Sequence, residues 1–434
     1  MCTALVIGNT IGIGIFMMPA ALAPFGLNSL VGWLITVLGC VAVAWVFAGL
    51  ARVFPQDDGP YAYTQRAFGN ATAFMVLWCY WVSIWVTNAT IATGVVGYLT
   101  ALVPALNANP LLPAITGLVL IWIFVAVNLL GVRTVGWMQI LTMILKLVPM
   151  GAVITLGLYE FFTEPSVYTQ HLPATPINFT DIAAASTIAL FAMLGIECAT
   201  IPAGRVRNPE RTIPRATIVG TLITAFIYIS VFVVPLLLIP QDELAKSNAP
   251  FADLLSRFTG AGAGHVLAIF VVISGLGALN GWTLMAGELT QTFARHGTLP
   301  EGLAKVNAHA APTRALLLTG AAASLMLVMN YTESMAKGFA FLSVVVTAAN
   351  IPLYLFCGLG IVVLWRRGEI SRPSRRELLL VFAAVVATAF CIWLFIGVGL
   401  RSLLWAVALA LVGVPVYWWM RRTRMSAMGV RDAV

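Results

Sequence analysis

Charge is scarce in this sequence. Only 9% of its 434 residues are charged, against 60% that are hydrophobic. A soluble domain carries about 25% charged residues, and so few charges cannot cover a water-facing surface. An ordinary soluble enzyme is therefore excluded, as is a disordered chain, which needs low hydrophobicity. Histidine is scarce too, with residues at 171, 265, 296 and 309 far apart in the chain. A histidine-based metal or catalytic cluster is not expected. The cysteines (Cys2, Cys40, Cys79, Cys198, Cys357 and Cys391) all fall in apolar stretches without metal spacing. They read as small core hydrophobes, and neither metal nor cofactor is expected. The longest gaps between apolar runs, 160–181 and 240–261, read as loops and leave no room for a soluble domain. A cleavable signal peptide is not expected either, because the first apolar run has no basic lead-in and continues past Pro19.

What the chain has is long apolar runs. They cover about 2–24, 27–51, 70–103, 110–131, 134–159, 182–204, 214–239, 262–294, 313–331, 338–365, 378–397 and 402–420. Each is near the ~20 residues a spanning helix needs. The sequence thus predicts an all-α membrane protein of twelve transmembrane helices in one polytopic domain, 1–434. A barrel is excluded because its strands are short and alternating. With the amino terminus in the cytosol, nineteen Lys and Arg residues fall on the cytosolic side. Four (Lys246, Arg257, Lys337 and Arg401) fall outside, and Lys146 lies within a span. The positive-inside rule then puts both termini in the cytosol of a plasma membrane, bacterial inner membrane by type. The net charge of +8 is a topology signal, so the lipid bilayer and not nucleic acid is the expected partner. Homodimerisation stays open.

Two of the spans are spoiled as helices. The first carries Gly8-Asn9-Thr10-Ile11-Gly12-Ile13-Gly14 and then Pro19, and the sixth carries Gly195-Ile196-Glu197 and then Pro202 and Gly204. Glycine loosens a helix interior and proline removes a donor. A broken helix is tolerated in lipid only where protein or a wet cavity satisfies the freed backbone. Spans one and six are five apart, so they run in opposite directions. Matching breaks in two inverted halves point to a substrate site near the bilayer midplane. Gly8 and Gly12 also fit a small-residue packing motif, but the second break, with a carboxylate beside it, favours a site.

These motifs carry a resemblance. Gly8-Asn9-Thr10-Ile11-Gly12-Ile13-Gly14-Ile15-Phe16 with Pro19 is similar to the first-helix signature of the amino acid–polyamine–organocation (APC) superfamily. Gly195-Ile196-Glu197 followed by Arg207-Asn208-Pro209-Glu210-Arg211, Tyr61-Ala62-Tyr63 with Phe68-Gly69, and Gly281-Trp282-Thr283-Leu284 also look like its motifs, in the right order. The branch they resemble is that of the basic amino acid/polyamine antiporters, including those that exchange arginine for agmatine. The resemblance implies a five-plus-five inverted repeat, about 1–160 and 180–366, with helices eleven and twelve about 376–420. Family members usually have a polar tail before the first helix. Here Cys2 to Thr10 covers about 13 Å, barely half a bilayer, so a start further upstream is expected.

Amides freed at the first break suit a carboxylate, and carbonyls freed at the second suit an ammonium group. The resemblance assigns substrate contacts to Asn9, Thr10, Ile11, Gly12, Ile13 and Gly14, and to Leu194, Gly195 and Ile196. In span three Tyr80, Ile84, Asn88 and Ile91 share one helix face. With Ser83 they are expected to line the pathway, Asn88 facing a substrate amine. Phe191 and Trp282 are the expected aromatic contacts, Trp282 also as a gate. Phe191 stands where arginine/agmatine exchangers have a tryptophan, and phenylalanine is the weaker cation–π partner. Ile13 replaces a small hydroxyl residue.

Lys146 is the basic residue deep in a span, at a cost of at least ~2.5 kcal/mol on insertion scales. It is expected to bond helix one or eight, much as a lysine replaces sodium in sodium-independent relatives. Snorkelling from the helix end is the alternative. Glu197, about 12 Å along the helix from Arg205 if the helix were regular, is expected to be unpaired and to couple protons to substrate. With Lys146, Tyr61 and Trp282 it makes up the coupling and gating set, while Glu288 reads as structural. The expected function is exchange of amino acids and their decarboxylated amines by alternating access, arginine/agmatine-like or with another cationic substrate. The alternative is a proton-coupled symporter of neutral amino acids. A membrane-embedded enzyme lacks a catalytic constellation here, and a channel would show filter motifs.

Overall fold

The computed structural model describes residues 7–8, 10–54, 59–109, 111–131, 145–172, 175–199, 208–295, 297–330, 334–370 and 375–427. Helices in chain order are α1 (Ile13–Leu22), α2 (Asn28–Val53), α3 (Pro60–Phe68), α4 (Asn70–Leu102), α5 (Leu111–Leu129) and α6 (Leu147–Thr163). Then come α7 (Val167–Gln170), α8 (Phe179–Met193), α9 (Pro209–Leu238), α10 (Gln241–Leu244) and α11 (Pro250–Thr259). The chain continues through α12 (Ala261–Arg295), α13 (Thr313–Met329), α14 (Met335–Arg366), α15 (Arg375–Gly397) and α16 (Leu400–Ala427). Among the described residues there is no strand.

Eight of these helices are long and apolar enough to cross a membrane: α2, α4, α5, α9, α12, α14, α15 and α16. Shorter apolar helices stand where spans one, five, six and nine were expected. Spans one and six are short because the breaks cut them. The first part of span five, 134–144, lies outside the described residues. The gaps expected to be loops are more ordered than that. The 240–261 gap holds α10 and α11, and 160–181 holds the end of α6, then α7 and the start of α8. Capping explains some boundaries. The Asn178 side chain accepts from Thr180 N–H at the start of α8, and Ser334 accepts from Lys337 N–H at the start of α14.

Burial sorts the bundle. In α4 89% of the apolar window is buried, whereas in α16 only 17% is. So α4 is central and α16 sits at the rim. α4 packs most extensively on α14 and α12, and α2 packs on α8 and α9. The outer faces carry apolar side chains such as Leu38, Phe226 and Phe382, each about two-thirds exposed or more. That is the surface a lipid-facing shell requires. Trp33 is buried within the bundle, while Trp45 is partly exposed.

Candidate functional site

The first span breaks at Ile11–Gly12. One helical bond survives upstream, from Ile11 N–H to the Ile7 carbonyl at 2.8 Å. Gly12 is then fully extended, and α1 begins at Ile13 with no side-chain cap. The carbonyls freed by this break are taken up by two side chains. Lys146 Nζ donates to the Gly8 oxygen at 2.7 Å and to the Ile11 oxygen at 2.6 Å. The Tyr228 hydroxyl of α9 donates to the Thr10 oxygen at 2.9 Å. Lys146 is fully buried, so it does not snorkel. The break therefore has its acceptors spent, while the uncapped first turn of α1 keeps amides to offer. A helix start of this kind favours an anion.

The second break follows α8. Leu194 is extended and its N–H reaches the Phe191 carbonyl at 3.3 Å. Gly195 has φ 106°, a region closed to most side chains. A short 3-10 turn, Ile196–Ala199, then carries Glu197. Glu197 is completely buried. Its Oε1 accepts from the Tyr80 hydroxyl at 3.0 Å and its Oε2 from the Tyr354 hydroxyl at 2.7 Å. The carboxylate expected to be unpaired therefore bridges α4 and α14. Arg205, set against it in the sequence, lies outside the described residues.

Between the two breaks is a small cavity of about 20 Å³, lined by Thr10, Gly12, Ile13, Gly14, Thr87, Ile91, Phe191, Ala192, Leu194 and Trp282. That is room for about one water molecule, so substrate entry requires the helices to part. Eight expected residues meet here, and Thr87 and Ala192 join them. Thr87 stands on the wall from α4, whereas its neighbour Asn88 lies off it, buried, with Oδ1 lacking a partner among the described residues. The helix period explains this. Tyr80, Ile84, Thr87 and Ile91 are spaced i, i+4, i+7, i+11, and Asn88 is turned about 100° from Thr87.

Ser83 spends its hydroxyl on the Tyr80 carbonyl at 2.7 Å, and Ile84 is buried behind it. Ile11 is buried and bonded to Lys146. Gly195 and Ile196 are buried beside Leu194 without lining the cavity. Tyr61 is half-buried on α3, away from it. Asn9 lies outside the described residues. Phe191 packs edge-on against Phe339, ring centroids 5.5 Å apart. Sequence reasoning missed Tyr228 and Tyr354. A tyrosine in the middle of an apolar span, whose hydroxyl must find a partner, was the available signal. Among the described residues no group of three or more His, Cys, Asp or Glu side chains could hold a metal ion.

A bundle of apolar helices enclosing a cavity between two interrupted ones is the arrangement of a membrane carrier. The chain belongs to the amino acid permease family, whose model matches residues 2–418. It is 30% identical over 340 residues to the cadaverine/lysine antiporter of Escherichia coli (strain K12), covering 78% of this chain and 75% of that protein. It is 30% identical to a putative arginine/ornithine antiporter of Bacillus subtilis (strain 168), over 96% of this chain and 95% of the relative. The putrescine transporter PotE of Escherichia coli (strain K12) is 28% identical over 96% of this chain and 94% of its own length.

Proposed function

We propose that this protein exchanges a cationic amino acid for a cationic amine across a bacterial inner membrane by alternating access. The observation that carries the reading is the chemistry of the cavity. Uncapped amides of α1 stand at one wall, with the Lys146 ammonium held on the Ile11 carbonyl just before them. Both favour a substrate carboxylate there. The aromatic rings of Phe191 and Trp282 also line the cavity, and an aromatic face turned to a cation is worth about 0.5–2 kcal/mol. The relatives, antiporters of lysine and cadaverine or of arginine and ornithine and a putrescine transporter by name, support the same class of substrate. A neutral-substrate symporter has less behind it.

Twelve crossings, arranged as two inverted repeats of five and a terminal pair, are part of this proposal, with both termini in the cytosol. The eight long helices, and the four shorter ones at the expected places, support that count. Glu197 couples the carrier to protons. A positive substrate favours the charged carboxylate, so cation entry and proton release are linked. The test is exchange in proteoliposomes loaded with unlabelled lysine, arginine, ornithine, cadaverine, putrescine or leucine. Uptake of labelled lysine stimulated by internal cations but not by leucine is the expected result. Uptake that needs no internal substrate, and follows an imposed proton gradient, would favour the symporter instead.

A further inference from the structure

Asn350 is 99% buried on α14, and neither its Oδ1 nor its Nδ2 has a hydrogen-bond partner among the described residues. Leaving a buried polar group unsatisfied is costly, so a carboxamide kept there calls for a ligand. Its place in the bundle can be fixed from two anchors on the same helix. Phe339 packs on Phe191 and Tyr354 donates to Glu197. Phe339, Asn350 and Tyr354 fall within roughly 60° of one another around α14. Asn350 therefore lies on the stripe that faces the broken segment from Phe191 to Glu197.

Its height follows from α4. The two helices run antiparallel, because Gly360 lies by Ala67, just before α4 begins, and Met335 lies by Gly97 near its end. Tyr80 of α4 shares the Glu197 level with Tyr354. The cavity-lining Thr87 is seven residues further along α4, about 10 Å. Asn350 is four residues from Tyr354 in the same direction, about 6 Å. It thus stands between the cavity and Glu197. Thr347, one turn nearer the cavity level, also has its hydroxyl without a partner among the described residues.

A lysine-length side chain reaches about 6 Å from its α-carbon, five bonds at ~1.25 Å of advance each. A substrate with its carboxylate at the α1 amides would bring its distal ammonium to the level of Asn350 once the helices part. We propose that Asn350 is the specificity-determining acceptor for that distal ammonium, through Oδ1, with the Thr347 hydroxyl beside it. The inference rests on the cationic-substrate reading above and adds a tail subsite on α14.

The experiment measures competition of lysine and of leucine against labelled lysine exchange, in wild type, Asn350→Leu and Asn350→Asp. Thermal melting checks the fold of each variant. Asn350→Leu should lower the preference for lysine over leucine by about tenfold, the low end for a hydrogen bond to a charged group. Asn350→Asp should keep or raise it. Unchanged preference in a folded Asn350→Leu overturns the subsite. If that variant does not fold, Asn350→Asp decides: a preference below wild type overturns the proposal and one at or above it supports it. Wild type that exchanges no cation at all would instead overturn the functional reading, so the two failures are distinguishable.

Discussion

Lys146 donates a 2.6 Å hydrogen bond to the carbonyl oxygen of Ile11, the last residue before the first helix breaks. The same ammonium holds the Gly8 carbonyl. An intramembrane charge is kept only where it has partners, and here the partners are oxygens that have lost their helical donors. The lysine stabilises the break, and the break solvates the lysine. In Lys146→Ala two buried carbonyls lose their donor, at about 1–3 kcal/mol each. Lysine exchange should fall at least tenfold while the folded protein is still recovered, and wild-type exchange should run equally in sodium and choline buffers. Sodium-dependent wild-type exchange would remove the lysine from this role.

Glu197 is the next test. Two tyrosines from different helices donate to it, so its carboxylate is held in place and out of water. Replacing it with glutamine keeps one acceptor oxygen and removes the titratable group. We expect Glu197→Gln to fold, to bind substrate within a few-fold of wild type, and to lose the dependence of exchange rate on pH. Tyr354→Phe should leave some pH dependence, because Tyr80 still donates. A Glu197→Gln profile that tracks wild type from acid to neutral pH would leave the carboxylate a structural bridge.

The first break was legible in sequence because glycines crowd it: the helix fails at Gly12, whereas Gly14 and Pro19 are carried within α1. Gly195 marked the second break in the same way, and its positive φ is the reason for the glycine. Apolar length alone located the eight helices that are long and apolar enough to cross a membrane. The fine register of α4 was not legible. Asn88 drew attention as the polar residue, yet Thr87 is the one on the cavity wall. One position is 100° of helix rotation, and polarity does not say which neighbour sets the face. Tyr228 and Tyr354 went unread because what matters is what their hydroxyls touch, more than a hundred residues away in the chain.

Gly12 has an extended backbone that any residue could adopt, so its requirement is space. A Cβ there would stand 3.2 Å from the Cβ of Ala278, on the wall of a cavity of about 20 Å³. A single methyl asks α1 or α12 to give by a few tenths of an ångström. Gly12→Ala should weaken binding by several-fold, and Gly12→Leu should abolish it while the protein melts cooperatively. Calorimetric titration with lysine checks both. Wild-type affinity in a folded Gly12→Leu would move the substrate site elsewhere.

Tyr98 ties together the end of the bundle that the positive-inside rule leads us to expect outside. The Tyr98 hydroxyl of α4 donates to the Phe16 carbonyl at 2.9 Å and accepts from the Phe251 N–H at 3.3 Å. One oxygen therefore ties the central helix to α1 and to α11, and the Phe16 and Phe251 rings meet edge-on at 5.5 Å. Opening the cavity outward must separate α1 and α11, so this tie belongs to the closed state. Tyr98→Phe leaves the buried Phe251 N–H unmatched in that state, at about 1–3 kcal/mol. In the open state water can satisfy it. The open population should rise by roughly 5- to 150-fold. A cysteine placed at Thr87, on the cavity wall, reports this by its rate of labelling with an impermeant maleimide added outside. The rate should rise at least fivefold in Tyr98→Phe. A rate equal to that of the Thr87→Cys parent would mean that the hydroxyl does not hold the outer face shut.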